Sequence, residues 1–310
     1  MIRRAELLTT AASMDELIRL MDAGADSFVI GESRFGLRMP GEFTLDLIAE
    51  AVKAAKPRGV RIYAAMNNLV DNKTTEDLPE YIEGLVHAGV DAIVFGDPSV
   101  LMAAKAAAPG LALHWNAEMT STNVVTAEYW GRRGATRYVL ARELNMDQVI
   151  DTRQKTNLEL EVQVHGLTNI YHSKRSLVES YLDHQQSLDR LKDSDRESGL
   201  YLKETERPDE RFPIYEDANG THIMSSDDIC MLENIHELLE AGIDSLKIEG
   251  LLKSTAYNEV VVRAYRQAID AYYADPEGYE FQEHWLDAIR KVQDPDRELS
   301  YGFFYKEQVY

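Results

Sequence analysis

The chain has 310 residues, of which 45% are hydrophobic and 9% aromatic, a composition that can fill a packed core. Its length suits one barrel of about 250 residues with an insertion. The formal net charge of -20, from 33 basic and 53 acidic residues, disfavours tight unaided RNA binding because it repels polyphosphate at long range. The single cysteine, Cys230, excludes an internal disulfide and a metal cage or cluster built from several of the chain's own thiolates.

The segments that target proteins to membranes are not visible in the sequence. No stretch approaches the roughly 18 uninterrupted apolar residues of a membrane span. The first segment, Met1–Leu8, has two arginines and then an acidic residue, without the apolar stretch of a signal peptide. We therefore expect a cytoplasmic protein that does not associate with membranes.

A recurring junction, in which a helix ends at glycine and a short apolar strand follows, organises the chain. Glycine is favoured there because it accepts the left-handed conformation that closes a helix. The junction occurs at Gly24, Gly89, Gly134 and Gly242, and Gly59 leads into a strand in a similar way. Regular repetition of this junction predicts strands and helices in alternation.

This rule predicts eight strands, most of them separated by amphipathic helices. The strands are Glu6–Thr9, Ser27–Ile30, Val60–Ala64, Ala92–Phe95, Leu111–Trp115, Arg137–Leu140, Leu158–Val164 and Ser245–Ile248. The helices include Ser13–Ala23, Leu45–Ala55, Leu78–His87, Thr122–Arg132 and Ala256–Tyr273. Such alternation predicts an α/β fold of the closed (β/α)8 TIM-like barrel type. An open doubly wound sheet is the alternative, because short-range patterns do not reveal closure.

The alternation breaks between the seventh and eighth strands, where residues 166–225 are predicted to form an insertion on the barrel rim. Its later part, Arg211–Met224, alternates around Asn219 and Gly220 and so predicts a β-hairpin. The barrel is assigned to residues 1–275, with this insertion included.

Two further elements are predicted after the insertion. Asp227–Glu240 is predicted to be a helix, and residues 276–310 a C-terminal tail that contains a helix at Phe281–Val292 and docks on the barrel. The aromatic cluster at Tyr301–Tyr305 is expected to lie against the body, because an exposed cluster of that size would be adhesive.

Candidate site residues follow from the rule that function in a barrel gathers at the carboxyl ends of the strands. Arg142 and Glu143 follow the sixth strand, His165 follows the seventh, and Lys247 and Glu249 lie at the eighth. Crowded acidic and basic groups shift each other's pKa values and can bind an anionic ligand or move protons. Ordinary buried ion pairs are the alternative, and for His165 alone a structural role is favoured. Lys247 and Glu249 share one face of their strand, so each needs a partner.

Common catalytic signatures are missing from the sequence. There is no His-Glu-x-x-His stretch, no Gly-x-Ser-x-Gly elbow, no Walker loop and no Gly-x-Gly-x-x-Gly fingerprint. Zinc hydrolases, serine hydrolases, P-loop enzymes and dinucleotide dehydrogenases therefore have no local support. Cys230, near the start of a predicted helix, could be a nucleophile whose thiolate the helix dipole favours, although packing is the more common role of such a cysteine.

Seven short motifs, from about residue 5 to residue 305, resemble those of the collagenase-like peptidase family U32 and fall in that family's order. They are Glu6-Leu7-Leu8 with Gly24-Ala25-Asp26, Phe35-Gly36-Leu37-Arg38, Ala141-Arg142-Glu143-Leu144, Val164-His165-Gly166, Ser226-Asp227-Asp228-Ile229-Cys230, Lys247-Ile248-Glu249-Gly250 and Tyr301-Gly302-Phe303-Phe304. The resemblance implies either peptidase activity or hydroxylation of nucleic-acid bases or quinone precursors.

Hydroxylating members of this family carry four cysteines that hold a 4Fe-4S cluster, and this chain departs from that pattern. Asn169 and Ser176 stand at two of the cysteine positions, no cysteine occurs near the third, at residues 194–198, and only Cys230 remains. Amide and hydroxyl groups are poor substitutes for thiolate on iron. We therefore expect no cofactor to be bound by this chain alone.

Members of about this length resemble those that are encoded as pairs and act in 5-hydroxyuridine formation at the tRNA wobble position. The resemblance thus implies a cluster-bearing U32 paralogue as partner, which would supply both iron and the contact to tRNA. Arg142, Glu143, His165 and Glu249 would then shape a substrate-binding or vestigial pocket. Two alternatives remain open: a peptidase of unknown mechanism, and a non-catalytic interaction subunit.

Overall fold

The computed structural model describes residues 4–116, 121–184 and 194–307. In its first half, strands and helices alternate as β1 Glu6–Thr10, α1 Met14–Ala23, β2 Ser27–Ile30, α2 Leu45–Ala55, β3 Arg61–Met66, α3 Asn72–Ala88, β4 Ala92–Phe95, α4 Pro98–Ala107, β5 Ala112–Trp115, α5 Val124–Arg132, β6 Arg137–Val139, α6 Met146–Lys155 and β7 Glu159–Gly166.

The second half adds an insertion, the last barrel strand and a tail. The insertion contains β8 Asn169–Ser173, α7 Leu177–His184, β9 Tyr201–Leu202, β10 Phe212–Asp217 and β11 Gly220–Met224. It is followed by β12 Asp228–Cys230, α8 Ile235–Glu240, β13 Ser245–Ile248, α9 Thr255–Ala274, α10 Glu283–Arg290 and β14 Leu299–Ser300.

Eight parallel strands close into a barrel. Strands β1 to β7 pair in chain order, and β13 pairs with both β7 and β1, which leaves no open edge. The predicted TIM-like barrel is confirmed, and the open doubly wound alternative is wrong. The glycine junctions behave as expected: Gly24 and Gly89 end α1 and α3 with φ of 110° and 81°, in the left-handed region.

The barrel interior is polar toward the amino ends of its strands. Arg137 is fully buried, and its guanidinium lies 2.8 Å from Glu6 and 3.3 Å from Glu161. The Tyr63 hydroxyl donates to Glu6 at 2.7 Å. The charge of Arg137 and its hydrogen bonds outweigh the cost of burial and hold the pKa of the Glu6 carboxyl below its usual range. This network positions strands β1, β3, β6 and β7 around a common centre.

The insertion forms a four-stranded sheet in the order β8-β11-β10-β9. Strands β10 and β11 make the predicted hairpin, in which Asp217 pairs with Gly220. At its turn, the amide of Asn219 donates to the Ser33 carbonyl at 2.9 Å and accepts from Asn68 at 2.7 Å. The hairpin is therefore anchored on the loops that follow β2 and β3, at the carboxyl end of the barrel.

The predicted helix Asp227–Glu240 is wrong in its first half. Residues 228–230 form strand β12, which runs antiparallel to the end of β7 and parallel to β14, and α8 begins only at Ile235. The strand forms because β7 extends past the barrel and offers free backbone groups, a long-range pairing that overrides local helix preference.

The tail contacts the barrel through backbone pairing and one buried aromatic ring. Strand β14 pairs with β12, and the Phe304 carbonyl accepts from the Met146 backbone at 2.9 Å. Phe304 is buried, but Tyr301, Phe303 and Tyr305 remain 39%, 44% and 46% exposed. Within the described ranges of the chain, no helix has the length and apolar character needed to cross a bilayer.

Candidate functional site

Lys247 and Glu249 form an ion pair at the carboxyl end of the barrel. Lys247 Nζ lies 3.0 Å from Glu249 Oε2, and both side chains are mostly buried. Glu249 Oε1 also accepts from the Leu251 backbone at 3.2 Å and from Thr10 at 3.4 Å. The two residues therefore supply each other with the partner that their shared face of β13 requires.

A small chamber of about 20 Å³ lies beside this pair at the barrel mouth. Arg142, Glu143 and Lys247, three of the five predicted site residues, contribute to its wall. The wall also contains Asn116, Val139, Leu140, Gln163 and Asn169. The structure thus brings charged and amide side chains from β5 to β8 and β13 to one point, as the strand-end argument predicted.

The chamber adjoins a larger groove of about 580 Å³ that runs between the insertion and the tail. Arg142, Glu143 and Asn169 line both spaces. The groove also contains Ile170 from β8 and the ring of Phe303 from the tail. A groove of this size can take a small organic ligand or one nucleoside.

His165 does not join the other predicted site residues at the mouth. The register of β7 and β13 shifts between Lys247 and Ile248, and the His165 ring lies against helix α9. Its Nε2 lies 2.9 Å from the Tyr257 hydroxyl, and Tyr265 lies 3.4 Å from Nδ1. Burial lowers the pKa of His165 to about 3, so the ring is neutral at physiological pH.

A hydrogen-bonded chain leads from His165 to Asp228. The Tyr257 hydroxyl donates to Gln293 Oε1 at 2.7 Å, and Gln293 Nε2 donates to Asp228 at 2.8 Å. Since the Tyr257 proton is directed at Gln293, its oxygen accepts from His165, which assigns the proton of the ring to Nε2. Lys253, in the loop after β13, pairs with the same carboxylate of Asp228 at 2.5 Å.

Cys230 lies in strand β12 and not at a helix start. Its sulfur is 3.9 Å from the Tyr265 hydroxyl, and burial raises the pKa of the thiol to about 11. Packing, the role favoured for this cysteine, fits these surroundings, whereas activation of the thiolate by a helix dipole does not, because no helix begins at this residue and the site disfavours charge.

The residues at the family's cysteine positions do not fit a 4Fe-4S cluster. Asn169 lines the chamber, Ser176 is exposed just before α7, and Cys230 packs under Tyr265. One buried thiol and two neutral oxygen or amide groups do not make the thiolate set that such clusters require. In the part of the chain that the structure describes, no group of three or more His, Cys, Asp or Glu side chains is arranged to hold a metal ion.

Gln163 is a mouth residue that sequence reasoning missed. It lies on β7, is 7% exposed and pairs in register with Lys247. The signal was present: Glu159, Glu161 and Gln163 place polar groups at every second position of an otherwise apolar strand. A polar row of period two marks the face that points into the barrel.

Comparison with known proteins agrees with this architecture. The model of peptidase family U32 matches residues 12–309. The chain belongs to this family. This U32 protein is 45% identical to tRNA hydroxylation protein P2 of Bacillus subtilis (strain 168). The alignment spans 310 residues and covers 100% of both chains. It is 31% identical to tRNA hydroxylation protein P1 of the same organism, over 99% of this chain and 74% of that protein.

A solved structure supports the fold of this U32 protein. The structure of the U32 peptidase Mk0906 matches it with a TM-score of 0.50 and 18% identity, over 80% of this chain and 93% of that chain. The family resemblance and the barrel expected from the sequence are both confirmed.

Proposed function

We propose that this U32 protein is a subunit of a tRNA wobble-uridine 5-hydroxylation system and does not hold an iron-sulfur cluster of its own. The observation that carries the proposal is the 45% identity to tRNA hydroxylation protein P2, which extends over all 310 aligned residues of both chains. Identity at this level along the whole chain covers the barrel, the insertion and the tail together.

The donor set of the chain supports the second half of the proposal. Cys230 is the one cysteine in the sequence, and its thiol is buried with a raised pKa. Redox chemistry would then come from a partner, and a cluster-bearing U32 paralogue is the candidate. The net charge of -20 also favours a partner that supplies the contact to tRNA. We place the system in the cytoplasm, where tRNA is modified.

The peptidase alternative has less support. A thiol peptidase needs an accessible thiolate beside a base, whereas Cys230 is 5% exposed and its thiol pKa is raised to about 11. The nearby His165 is fully buried and already bonded to Tyr257.

The test is deletion of the gene in its native host, followed by mass spectrometry of tRNA nucleosides. We expect 5-hydroxyuridine derivatives to be lost and to return when the wild-type gene is restored. A Cys230→Ser gene should restore them equally, because the thiol is not a cluster ligand in this account. A nucleoside profile unchanged by deletion would refute the proposal. If the wild-type gene restored the modification and the Cys230→Ser gene did not, the thiol would have a role that this proposal denies.

A further inference from the structure

Gln163, which lines the chamber at the barrel mouth, has an amide of fixed orientation whose oxygen is buried and unpaired in the described structure. Its Nε2 donates to the carbonyls of His165, Gly166 and Leu167 at 3.3, 3.3 and 3.1 Å. The reversed amide would place its oxygen against three carbonyl oxygens, so the orientation is settled. Within the described residues, Gln163 Oε1 is buried without a hydrogen-bond partner. Such an oxygen calls for a donor from water or from a ligand.

Lys247 brings a hydrogen-bond donor to the same chamber. Lys247 is the register partner of Gln163 across β13 and β7, and both side chains line the chamber. The Lys247 ammonium has three N–H groups, and its ion pair with Glu249 at 3.0 Å uses one of them. An acceptor and a donor from neighbouring strands could match one edge of a pyrimidine base, which carries N3–H next to a carbonyl oxygen in uracil.

The available space favours a flat ring that enters by its edge. The chamber of about 20 Å³ takes one water or the edge of a ring, while the adjoining groove of about 580 Å³ has room for the rest of a nucleoside. Phe303, which is 44% exposed, offers the groove an aromatic face for stacking. Asn169, whose Oδ1 is a second buried oxygen without a partner in the described chain, lines both the chamber and the groove.

We propose that the barrel mouth binds the target uracil base, with Gln163 Oε1 accepting from N3–H and Lys247 Nζ donating to O4. The inference rests on the proposed function, which supplies uridine as the base to be modified. A base that undergoes chemistry has to leave its stack and be held by its hydrogen-bonding edge, and this pair provides that hold. This chain would then be the base-reading subunit, and Gln163 and Lys247 its specificity residues.

Binding of two nucleosides to the full chain tests the inference. Because the net charge of -20 opposes RNA, the probes are uridine and N3-methyluridine at millimolar concentration, followed by ligand-observed NMR. Uridine is expected to bind at least about tenfold more tightly than N3-methyluridine, since methylation removes the donor to Gln163. Equal binding of the two nucleosides, or no binding of uridine, would overturn the inference and indicate that the chamber holds only water.

Two substitutions distinguish a loss of base recognition from a loss of folding. Gln163→Leu is expected to weaken uridine binding about tenfold or more and to leave the weak binding of N3-methyluridine unchanged. Gln282→Leu makes the same chemical change on the exposed start of α10 and should leave both unchanged. Thermal melting of each variant reports folding. A Gln163→Leu protein that melts normally and binds uridine as before would overturn the inference. The proposed function is tested separately, by the tRNA nucleosides of the deletion strain.

Discussion

The ring of His165 lies between the hydroxyls of Tyr257 and Tyr265, where no water reaches it and where its neutral form is favoured. The ring is 0% exposed, and its Nε2–H donates a hydrogen bond to the Tyr257 hydroxyl at 2.9 Å. A neutral histidine in such a place acts as a packing and hydrogen-bonding group. It connects the end of β7 to helix α9, next to the point where β12 joins the barrel.

The stability of the protein should depend on pH through His165. Its folded pKa of about 3 is below the reference value of 6.5, so its stabilisation is complete above pH 6.5 and is lost as pH falls toward 3. By pH 5 the loss should reach about 2 kcal/mol. His165→Gln keeps a donor for Tyr257 but does not titrate. Urea denaturation at pH 7 and pH 5 should therefore show a larger loss for wild type than for the variant.

Equal losses for the two proteins between pH 7 and pH 5 would contradict the neutral, buried state of His165. The comparison uses the difference between two pH values, so a constant cost of the substitution cancels. Other groups that titrate in this range are shared by both proteins.

The barrel mouth shows how far the position of candidate site residues can be predicted from the sequence. Arg142, Glu143 and Lys247 lie together as predicted because strand ends meet at one rim, whatever the details of packing, while their role stays a prediction. His165 was wrongly predicted to lie beside them. The shift in register between β7 and β13 turns its ring outward, and no local sequence pattern indicates such a shift. The orientation of the Gln163 amide depends on three carbonyls that only the folded loop brings together.

At the scale of elements, Asp228 joins β12, the loop after β13 and the tail. Its carboxylate is fully buried and contacts Lys253 at 2.5 Å and Arg297 at 2.8 Å. These cations outweigh the effect of burial and hold the Asp228 pKa far below its usual range. The tail segment around Arg297 is thus held by a buried ion cluster as well as by the pairing of β14 with β12.

Removal of the Asp228 carboxylate should destabilise the fold strongly. Asp228→Ala leaves two buried cations without their counter-charge, which costs about 3–5 kcal/mol. Asp296→Ala is the matched control, because Asp296 pairs with Arg211 on the exposed surface of the same tail and such pairs contribute at most about 1 kcal/mol. Urea denaturation measures both. A loss for Asp228→Ala no larger than that of the control would refute the role of the buried cluster.

The elements of the barrel were predictable because each is specified locally. Gly24 and Gly89 mark helix ends, and the apolar runs that follow them can only be short buried strands. Strand β12 was missed because Asp228, Ile229 and Cys230 carry no strand pattern of their own. They become a strand through pairing with the extended end of β7 and with β14, where Asp228 pairs with Leu299. Local sequence patterns do not reveal a pairing between residues so far apart in the chain.

At the scale of the whole molecule, the groove of about 580 Å³ lies between the barrel mouth, the insertion and the tail, and the net charge of the chain is strongly negative. The groove is lined by Arg142, Arg207 and Lys306 but also by several carboxylates, among them Asp227 and Glu298. A net charge of -20 makes this chain a poor solitary ligand for tRNA. Under the proposed function, this chain would contribute the pocket, and a partner would contribute the electron-transfer centre and most of the contact with the tRNA backbone.

That division depends on the thiol count, and metal analysis tests it most directly. The full chain is expressed without U32 paralogues, purified without oxygen under conditions that load iron-sulfur proteins, and assayed for iron and acid-labile sulfide. We predict far less than one iron atom per chain and no absorption band of a cluster. Iron and sulfide in stoichiometric amounts, retained by the isolated chain, would contradict it.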